Sequence, residues 1–338
     1  MAKSRYYTGR KVAFLAIMAI CVSLQACNRS EQKPAGPPEK VTIANIAPPF
    51  SVLVDVAELQ DYFRQEGLAV TMQKYQYGLV ALQAMLAGKA DFATVAETPI
   101  MQAIMTGEKI SIIATIQKSN KNIAIVTRKD KGVATPHDLQ GRRIGATLGT
   151  ISEFYMDAFL VVNGISRSVV KVIDLMPEDM TAALENGEVD AVSTWTPTIF
   201  EVQKKLGERG ITFYNEDIFT QTMNIVAKTE FIHANPEKVK KLLRALVRAE
   251  VFARKSPEAA QKKVAGFNRM DAERLREIWN DNFYAVTLDQ SLILALEDES
   301  RWAMQNRLTK ASKIPNYLDF IYIDGLNSVK PKAVRILK

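Results

Sequence analysis

Cysteine and histidine, which supply many nucleophiles and metal ligands, are scarce in this chain. Its 338 residues include two of each. The histidines, His137 and His233, stand in loop or helix-cap settings, and no cluster of cysteine, histidine and glutamate has the spacing of metal ligands. The chain also lacks a Gly-x-Ser-x-Gly nucleophile motif and a Gly-x-x-x-x-Gly-Lys phosphate loop. We therefore expect no metal site, no cofactor and no enzymatic activity, although an active site assembled from residues distant in sequence stays open.

The apolar run near the N-terminus is too short to cross a bilayer as a helix. Val12–Val22 has eleven residues, whereas a transmembrane helix needs about 20. A basic segment without acidic residues precedes the run, which predicts a secretory signal over 1–26. The signal ends in Leu-Gln-Ala-Cys, which resembles a bacterial lipobox. We expect Cys27 to be lipidated and to anchor the protein to a membrane. Ordinary cleavage near Ala26, which leaves a free thiol, is the alternative.

Excess positive charge is small once the signal is removed. The formal net charge is +7, and four of the positive charges lie in the first eleven residues, which leaves +3. No basic stripe is interleaved with aromatic residues, so we expect no nucleic-acid partner. Cys21 leaves with the signal and Cys27 takes the lipid, so no disulfide is expected.

A polar segment separates the signal from the folded part. Residues 27–40 carry three prolines and few apolar side chains, so they are predicted to form a flexible tether. The folded part then begins at about residue 41 and is long enough for two lobes.

One phrase occurs twice, about a hundred residues apart. Residues 88–99 are GKADFATVAETP, and residues 187–197 are GEVDAVSTWTP. In each copy a glycine ends a helical run, and a short apolar segment predicts a buried strand. Thr-Pro then predicts the N-cap and the first residue of another helix. The repeat indicates two similar α/β lobes, each of which directs a helix N-terminus at a shared cleft. The alternative is that these glycine, aspartate and Thr-Pro positions are ordinary turn and helix-cap residues without a repeat.

Strands and helices alternate in the N-terminal third, which predicts a mostly parallel sheet. Val41–Ala44 and Ala69–Tyr75 are predicted strands, and the apolar spacing in Val52–Glu66 predicts one continuous helix between them. In such sheets, ligands bind beyond the carboxyl ends of the strands. We therefore expect the ligand-binding residues at that edge to include Phe50, Ser51, Gly78 and Thr98.

Later segments contribute further predicted binding residues. The turn Gly149-Thr150-Ile151-Ser152 offers unpaired backbone N–H groups and two hydroxyls, which suit an anion. A cap for the following helix is the alternative function of this turn. Trp195 is expected to form an apolar wall beside Thr196. Asn224 is another expected ligand contact, in a strand that is predicted to return the chain to the first lobe.

Glu97 restricts the kind of ligand. It precedes a predicted helix start, where a carboxylate would oppose a bare anion such as nitrate. We expect a ligand with an acidic or acceptor end at Thr150 and Ser152, and with a donor or cationic group facing Glu97. An amino-sulfonate or an amino-pyrimidine satisfies both conditions.

The C-terminal third is predicted to be mostly helical. From Asn235 onward the apolar residues recur at helical spacing. We expect this region to pack on the outside of the first lobe, with Trp279 and Trp302 in its core.

Several of these segments together resemble a known protein family. The lipobox, residues 78–93, residues 138–150 and residues 187–197 are similar to those of solute-binding proteins of ABC importers. The similarity is to the nitrate, sulfonate and taurine group, which also includes pyrimidine-precursor binders. It implies an α/β fold of periplasmic-binding-protein type II, in which two mostly parallel sheets flanked by helices are joined by two hinge crossings. The implied lobes are 41–128 plus 226–338, and 129–225.

The same resemblance implies a function. The protein would be an extracytoplasmic, lipid-anchored monomer that closes around a small polar organic molecule and docks on a membrane permease. Sulfonate-like or taurine-like ligands are expected. A pyrimidine or thiamin-precursor binder, a sensory binding protein and an enzyme of the thiamin-precursor synthase type are the alternatives. Those synthases use histidine and metal, so the scarcity of histidine and cysteine argues against the last alternative.

Overall fold

The computed structural model describes residues 36–337. The predicted signal peptide over 1–26, the lipidation site Cys27 and the tether up to residue 35 lie outside the described residues. Within 36–337, no helix combines the length and the apolar character needed to cross a bilayer.

The described chain contains two five-stranded sheets and a short two-stranded pair. The strands are β1 Glu39–Asn45, β2 Leu68–Lys74, β3 Phe92–Ala96, β4 Ile110–Ser119, β5 Ile123–Arg128, β6 Arg143–Ala146, β7 Lys171–Asp174, β8 Ala191–Trp195, β9 Gly210–Phe213, β10 Gln221–Lys228, β11 Leu288–Asp289 and β12 Val334–Arg335.

Helices flank both large sheets. They are α1 Val52–Leu59, α2 Tyr62–Gln65, α3 Gly78–Leu86, α4 Glu97–Met105, α5 Ile151–Val162, α6 Pro177–Asn186, α7 Thr198–Leu206, α8 Thr229–Ala234, α9 Pro236–Lys255, α10 Pro257–Asn268, α11 Ala272–Trp279, α12 Gln290–Gln305 and α13 Ile323–Val329. Short 3₁₀ turns lie at Lys129–Lys131, Pro136–Leu139, Arg167–Val169, Gly207–Arg209, Tyr317–Phe320 and Pro331–Ala333.

The two large sheets have the same topology. Their strand orders are β2-β1-β3-β10-β4 and β7-β6-β8-β5-β9. In each sheet, three neighbouring strands are parallel, and the fourth is antiparallel to both of its neighbours. The repeated phrase supplies the equivalent strands β3 and β8, which are buried along their whole length. The predicted fold class, an α/β fold with two mostly parallel sheets, is confirmed.

The fourth strand of each large sheet lies next to a point where the chain passes from one sheet to the other. β5 lies within the range 41–128 that was assigned to the first lobe, yet it pairs with β8 and β9 in the second sheet. β10 begins within the range 129–225 and pairs with β3 and β4 in the first sheet. The expected lobe boundaries at 128 and 225 therefore do not coincide with the points where the chain passes between the sheets.

The predicted continuous helix over Val52–Glu66 is wrong. α1 ends at Leu59, and Asp61 adopts a left-handed backbone conformation with φ of 58° before α2 begins. Aspartate tolerates this conformation better than most residues. The apolar periodicity continues through the break, so it did not reveal that the helix ends there.

The predicted caps at the two Thr-Pro pairs are also wrong. α4 begins at Glu97 with Ala96 as its N-cap, so Thr98 and Pro99 both lie in its first turn. Proline is tolerated there because the first N–H groups of a helix have no partner within it. In the second copy, Pro197 itself is the N-cap of α7.

The C-terminal helices pack on the first lobe, as predicted. α9 contacts α1, and α12 contacts α4. Trp279 and Trp302 are buried and belong to the hydrophobic core of this region.

Candidate functional site

A cavity lies between the two sheets, at the carboxyl ends of their parallel strands. Segments that follow β1, β2 and β3 line one side, segments that follow β6 and β8 line the other, and β10 completes the wall. The lining residues are Ile46, Ala47, Phe50, Gln76, Tyr77, Gly78, Leu79, Ala96, Pro99, Thr150, Ile151, Trp195, Pro197, Gln221 and Met223.

The two lobes touch across this cavity. The ring centroids of Tyr77 and Trp195 are 6.1 Å apart, and the Tyr77 hydroxyl donates a hydrogen bond of 3.1 Å to Sδ of Met176. The loop before α5 also approaches α4 closely, because a Cβ on Gly149 would lie 3.0 Å from Oε1 of Gln102. Both lobes therefore enclose the cavity in this structure.

Two helices begin at the cavity wall. α3 begins at Gly78, and α5 begins at Ile151 after its N-cap Thr150. Glycine fits the first start best, because a Cβ there would lie 3.2 Å from Cα of Val95 and 3.3 Å from the nitrogen of Ala96, so the backbone of β3 would have to move slightly. Helix N-termini present free N–H groups and the positive end of the helix dipole, which favour a negatively charged group.

The lining is neutral and largely apolar. None of the lining residues that the structure describes carries a formal charge. Over residues 36–337, no group of three or more His, Cys, Asp or Glu side chains could hold a metal ion. An anionic group in the cavity would therefore be bound by backbone N–H groups and neutral donors, and not by lysine or arginine.

The structure brings four of the predicted binding residues together in the lining, namely Phe50, Gly78, Thr150 and Trp195. Two segments from each lobe supply these four residues, as expected for a site between lobes. The predicted residues outside the lining are Ser51, Glu97, Thr98, Gly149, Ser152, Thr196 and Asn224.

The hydroxyls of the predicted anion-binding turn are bonded within the second lobe. Thr150 Oγ1 donates to the carbonyl of Thr147 at 2.7 Å and accepts from the N–H of Ser152 at 3.2 Å. Ser152 Oγ donates to the carbonyl of Ser193 at 2.6 Å. The turn therefore caps α5, the alternative that its sequence also allowed, while Thr150 still borders the cavity.

Other predicted residues lie behind the lining. Ser51 Oγ donates to the carboxylate of Asp55 at 3.3 Å, and Thr98 is buried in the first turn of α4. The N–H of Thr196 donates to the carbonyl of Asn122 at 2.9 Å, beside the first crossing between the sheets. These residues lie behind the lining and stabilise the segments that supply it.

Glu97 is fully buried behind the cavity wall. Its Oε2 accepts hydrogen bonds from the N–H of Thr222 at 2.8 Å and from the Thr222 hydroxyl at 2.6 Å. Burial raises the pKa of Glu97 to about 7, and the Thr222 bonds oppose that rise. A second fully buried acid, Glu299 of α12, interacts with it electrostatically. The structure thus pairs Glu97 with an acid of the same lobe and does not place it among the lining residues.

Strand alternation decides which residues of β10 reach the cavity. Gln221 and Met223 line it, whereas Thr222 and Asn224 point to the opposite face. Asn224 accepts from the hydroxyl of Thr115 at 2.7 Å and donates to the hydroxyl of Thr222 at 2.9 Å. Asn224 was predicted from the sequence and Gln221 and Met223 were not, although the period of two places them on the opposite face of the strand from Asn224. Other missed lining residues adjoin named ones, such as Tyr77, Ile151 and Pro197.

Comparison with known proteins places the chain in a family. A family model described as NMT1/THI5 like matches residues 51–260, which include both helix starts at the cavity. The chain belongs to the NMT1/THI5-like family. A taurine-binding periplasmic protein of Escherichia coli (strain K12) is 22% identical to this NMT1/THI5-like chain over 245 residues, 71% of this chain and 69% of that protein.

Solved structures have the same fold as this NMT1/THI5-like protein. The alkanesulfonate-binding protein SsuA from Xanthomonas axonopodis pv. citri, bound to MOPS, matches with a TM-score of 0.74 and 17% identity over 85% of this chain and 99% of that chain. A weaker sequence match is the 4-amino-5-hydroxymethyl-2-methylpyrimidine phosphate synthase of Schizosaccharomyces pombe, 23% identical over 245 residues, 68% of this chain and 70% of that protein. The structural match confirms the periplasmic-binding-protein type II fold.

Proposed function

We propose that this protein is the extracytoplasmic solute-binding component of an ABC importer, and that it captures a small organic sulfonate between its lobes. The observation that carries the proposal is the neutral, aromatic-walled cavity at which α3 and α5 begin. Taurine-binding and alkanesulfonate-binding relatives support the choice of ligand.

The cavity suits an organic sulfonate better than an inorganic anion. The helix starts at Gly78 and Ile151 provide N–H groups for sulfonate oxygens without a cationic side chain. Phe50, Trp195 and Met223 provide apolar surface for a carbon skeleton. Nitrate would leave this surface uncovered, and each CH₂ that becomes buried contributes about 0.8 kcal/mol. We therefore propose a ligand larger than an inorganic anion, and the aromatic wall of the cavity supports this choice.

The lobes are proposed to close as rigid bodies around the ligand. We place the crossings at 120–122 and 214–220, which connect the strands of one sheet to those of the other. A ligand that contacts both lobes favours the closed form over the open one. The closed monomer would then dock on a membrane permease.

Binding without turnover is part of the proposal. The lining residues of the described chain include no histidine, cysteine, lysine or carboxylate that could act as a base or a nucleophile. The buried acids Glu97 and Glu299 lie outside the lining, so they support no acid–base role at the ligand.

Calorimetry with 1-butanesulfonate, taurine and nitrate tests the ligand class. We expect at least one sulfonate to bind, and nitrate to bind about a hundredfold more weakly than butanesulfonate because it buries no alkyl chain. Trp195→Ala should weaken sulfonate binding about tenfold by removing apolar wall. Phe283→Ala, which removes an exposed aromatic ring outside the lining, is the matched control and should not. Nitrate binding as tight as sulfonate binding, or no sulfonate binding at all, refutes the proposal.

Membrane anchoring through Cys27 is the second part of the proposed function. The lipobox-like end of the signal supports acylation of Cys27, and stable anchoring requires more than one acyl chain. Cys27→Ala should therefore move the protein from the membrane fraction to the soluble extracytoplasmic fraction, as measured by fractionation and intact mass. Wild-type protein that is soluble and carries no lipid mass would contradict the anchor while leaving the binding function intact.

A further inference from the structure

Gln221 is a buried lining residue whose side-chain amide has no hydrogen bond. The residue is 2% exposed and stands at the start of β10. Its Oε1 accepts no hydrogen bond, and its Nε2 donates none, to any residue of the described chain. The buried Gln117 on the neighbouring strand also leaves its Oε1 unbonded, but its Nε2 donates to Oδ1 of Asn282 at 2.7 Å, whereas neither end of the Gln221 amide is bonded. Leaving a buried polar group unbonded is costly, so the free amide requires an explanation.

The other polar side chains of the lining offer a ligand less than a free amide does. The indole N–H of Trp195 has no hydrogen bond within the described chain, but it can only donate. The Tyr77 hydroxyl donates to Met176, and the Thr150 hydroxyl both donates and accepts within the cap of α5. Gln76 is exposed. Within the lining that the structure describes, Gln221 is therefore the buried side chain whose donor and acceptor are both unbonded.

We infer that Gln221 determines specificity by binding a second polar group of the ligand, one that both donates and accepts a hydrogen bond. A hydroxyl group is the simplest such group. The inference rests on the proposed sulfonate-binding function and refines it. Sulfonate oxygens only accept hydrogen bonds, so they can satisfy Nε2 and leave Oε1 unpaired. An ammonium group only donates, so it can satisfy Oε1 and leave Nε2 unpaired.

Size-matched sulfonates test this inference in the intact mature protein. 1-Propanesulfonate and 2-hydroxyethanesulfonate differ by exchange of a methyl for a hydroxyl, and so do 1-butanesulfonate and 3-hydroxypropanesulfonate. In the wild type we expect the hydroxyl compound of at least one pair to bind about tenfold tighter, because a buried polar group that lacks its partner penalises the methyl compound. Taurine, the ammonium match of the shorter pair, should bind more weakly than 2-hydroxyethanesulfonate. Gln221→Leu should abolish the preference in each pair.

Thermal unfolding without ligand gives an independent readout. If the amide is kept for a ligand, Gln221→Leu removes an unbonded polar group and should raise the Tm by about 2 °C. The control Gln117→Leu removes an amide of similar burial whose Nε2 is bonded to Asn282, and it should lower the Tm.

The outcomes separate the two proposals. Equal affinities within both pairs in the wild type, or a preference that persists in Gln221→Leu, overturn the role of Gln221 while the sulfonate function stands. Failure of every sulfonate to bind refutes the proposed function, and the ligand-free Tm then decides the role of Gln221. A Tm lowered by Gln221→Leu as much as by Gln117→Leu would show that the amide is structural and overturn the inference.

Discussion

Replacing Asp157 by alanine is expected to lower the free energy of unfolding by about 3 kcal/mol. Asp157 of α5 is 4% exposed, and its carboxylate accepts a hydrogen bond of 2.7 Å from Nε1 of Trp302 and another from Arg167. The Trp302 bond joins the second lobe to α12 of the first. Without the carboxylate, the indole N–H and one face of the guanidinium lose their partner. Equilibrium urea unfolding, followed by tryptophan fluorescence, measures the change.

The magnitude is at the low end of the range for a broken buried ion pair, for two reasons. The Arg167 side chain is 27% exposed, so water compensates part of the loss. Burial also raises the pKa of Asp157 in spite of its bonds to Trp302 and Arg167, which shows that desolvation is not fully offset.

Two variants control for this interpretation. Asp298→Ala removes a 69% exposed carboxylate that pairs with Arg301 on α12 and should change the stability by less than about 0.5 kcal/mol. Asp157→Asn keeps an acceptor for the Trp302 N–H and should cost less than Asp157→Ala. If Asp157→Ala is no more destabilising than Asp298→Ala, the contact between the lobes contributes little to stability.

The architecture could be predicted because short sequence patterns mark the buried strands and the helices beside them. The repeated Gly-x-x-Asp segment located β3 and β8, whose five-residue runs are buried on both faces and consist of apolar residues with only small hydroxyl side chains among them. The return of the chain to the first sheet through β10, the strand of Asn224, was predicted. The pairing of β5 in the second sheet was not, because an antiparallel strand between the sheets has the same composition in either sheet. The helix break at the left-handed Asp61 could not be predicted either, since its neighbours continue the helical apolar spacing.

The site could be predicted to the level of segments but not of side chains. The rule that ligands bind beyond the carboxyl ends of the strands correctly selected Phe50, Gly78, Thr150 and Trp195 as lining residues. It did not distinguish residues that face the cavity from those that face the opposite side of the same strand or helix, as with Asn224 and Glu97. The period of two places Asn224 on the opposite face of β10 from Gln221 and Met223, but which face borders the cavity depends on how the strand packs, which is a tertiary property.

Contacts between residues that are distant in sequence could not be predicted from the sequence. Asp157 and Trp302 are 145 residues apart, and Trp302 was correctly predicted to be a core residue without any indication of its hydrogen bond. The pairing of Glu97 with Glu299 is of the same kind. Taken singly, Glu97 looked like a ligand contact, since no local pattern indicates a second buried acid on another helix.

The pair of buried acids makes stability depend on pH. Both carboxyls are fully buried, and Glu97 Oε1 and both oxygens of Glu299 have no hydrogen-bond partner among the described residues. Burial, followed by the nearby Glu97, raises the pKa of Glu299 well above its usual value. Burial raises that of Glu97 from 4.5 to about 7. A proton held by the pair supplies the donor that these oxygens lack.

The direction of the pH effect follows from the higher pKa in the folded state. Between about pH 4.5 and 7, Glu97 holds a proton in the folded protein and loses it in the unfolded chain, so its contribution to stability falls as the pH rises. The contribution is fully present below the unfolded pKa of Glu97 and is lost as the pH rises through about 7. Asp55, whose pKa burial raises to about 7, acts in the same direction.

Glu97→Gln is therefore expected to stabilise the protein at pH 8 by about 3 kcal/mol, the equivalent of the rise in the pKa of Glu97. The glutamine carbonyl can still accept from Thr222, and its neutral NH₂ group replaces the proton of the acid. At pH 4.5 the variant and the wild type should have similar stability, because the wild-type acid is already protonated when folded. Urea unfolding at both pH values measures the effect, with Asp298→Asn as an exposed control that should show no such gain. A loss of stability at pH 8 in Glu97→Gln would mean that Glu97 is held as an anion, with a folded pKa below 4.5.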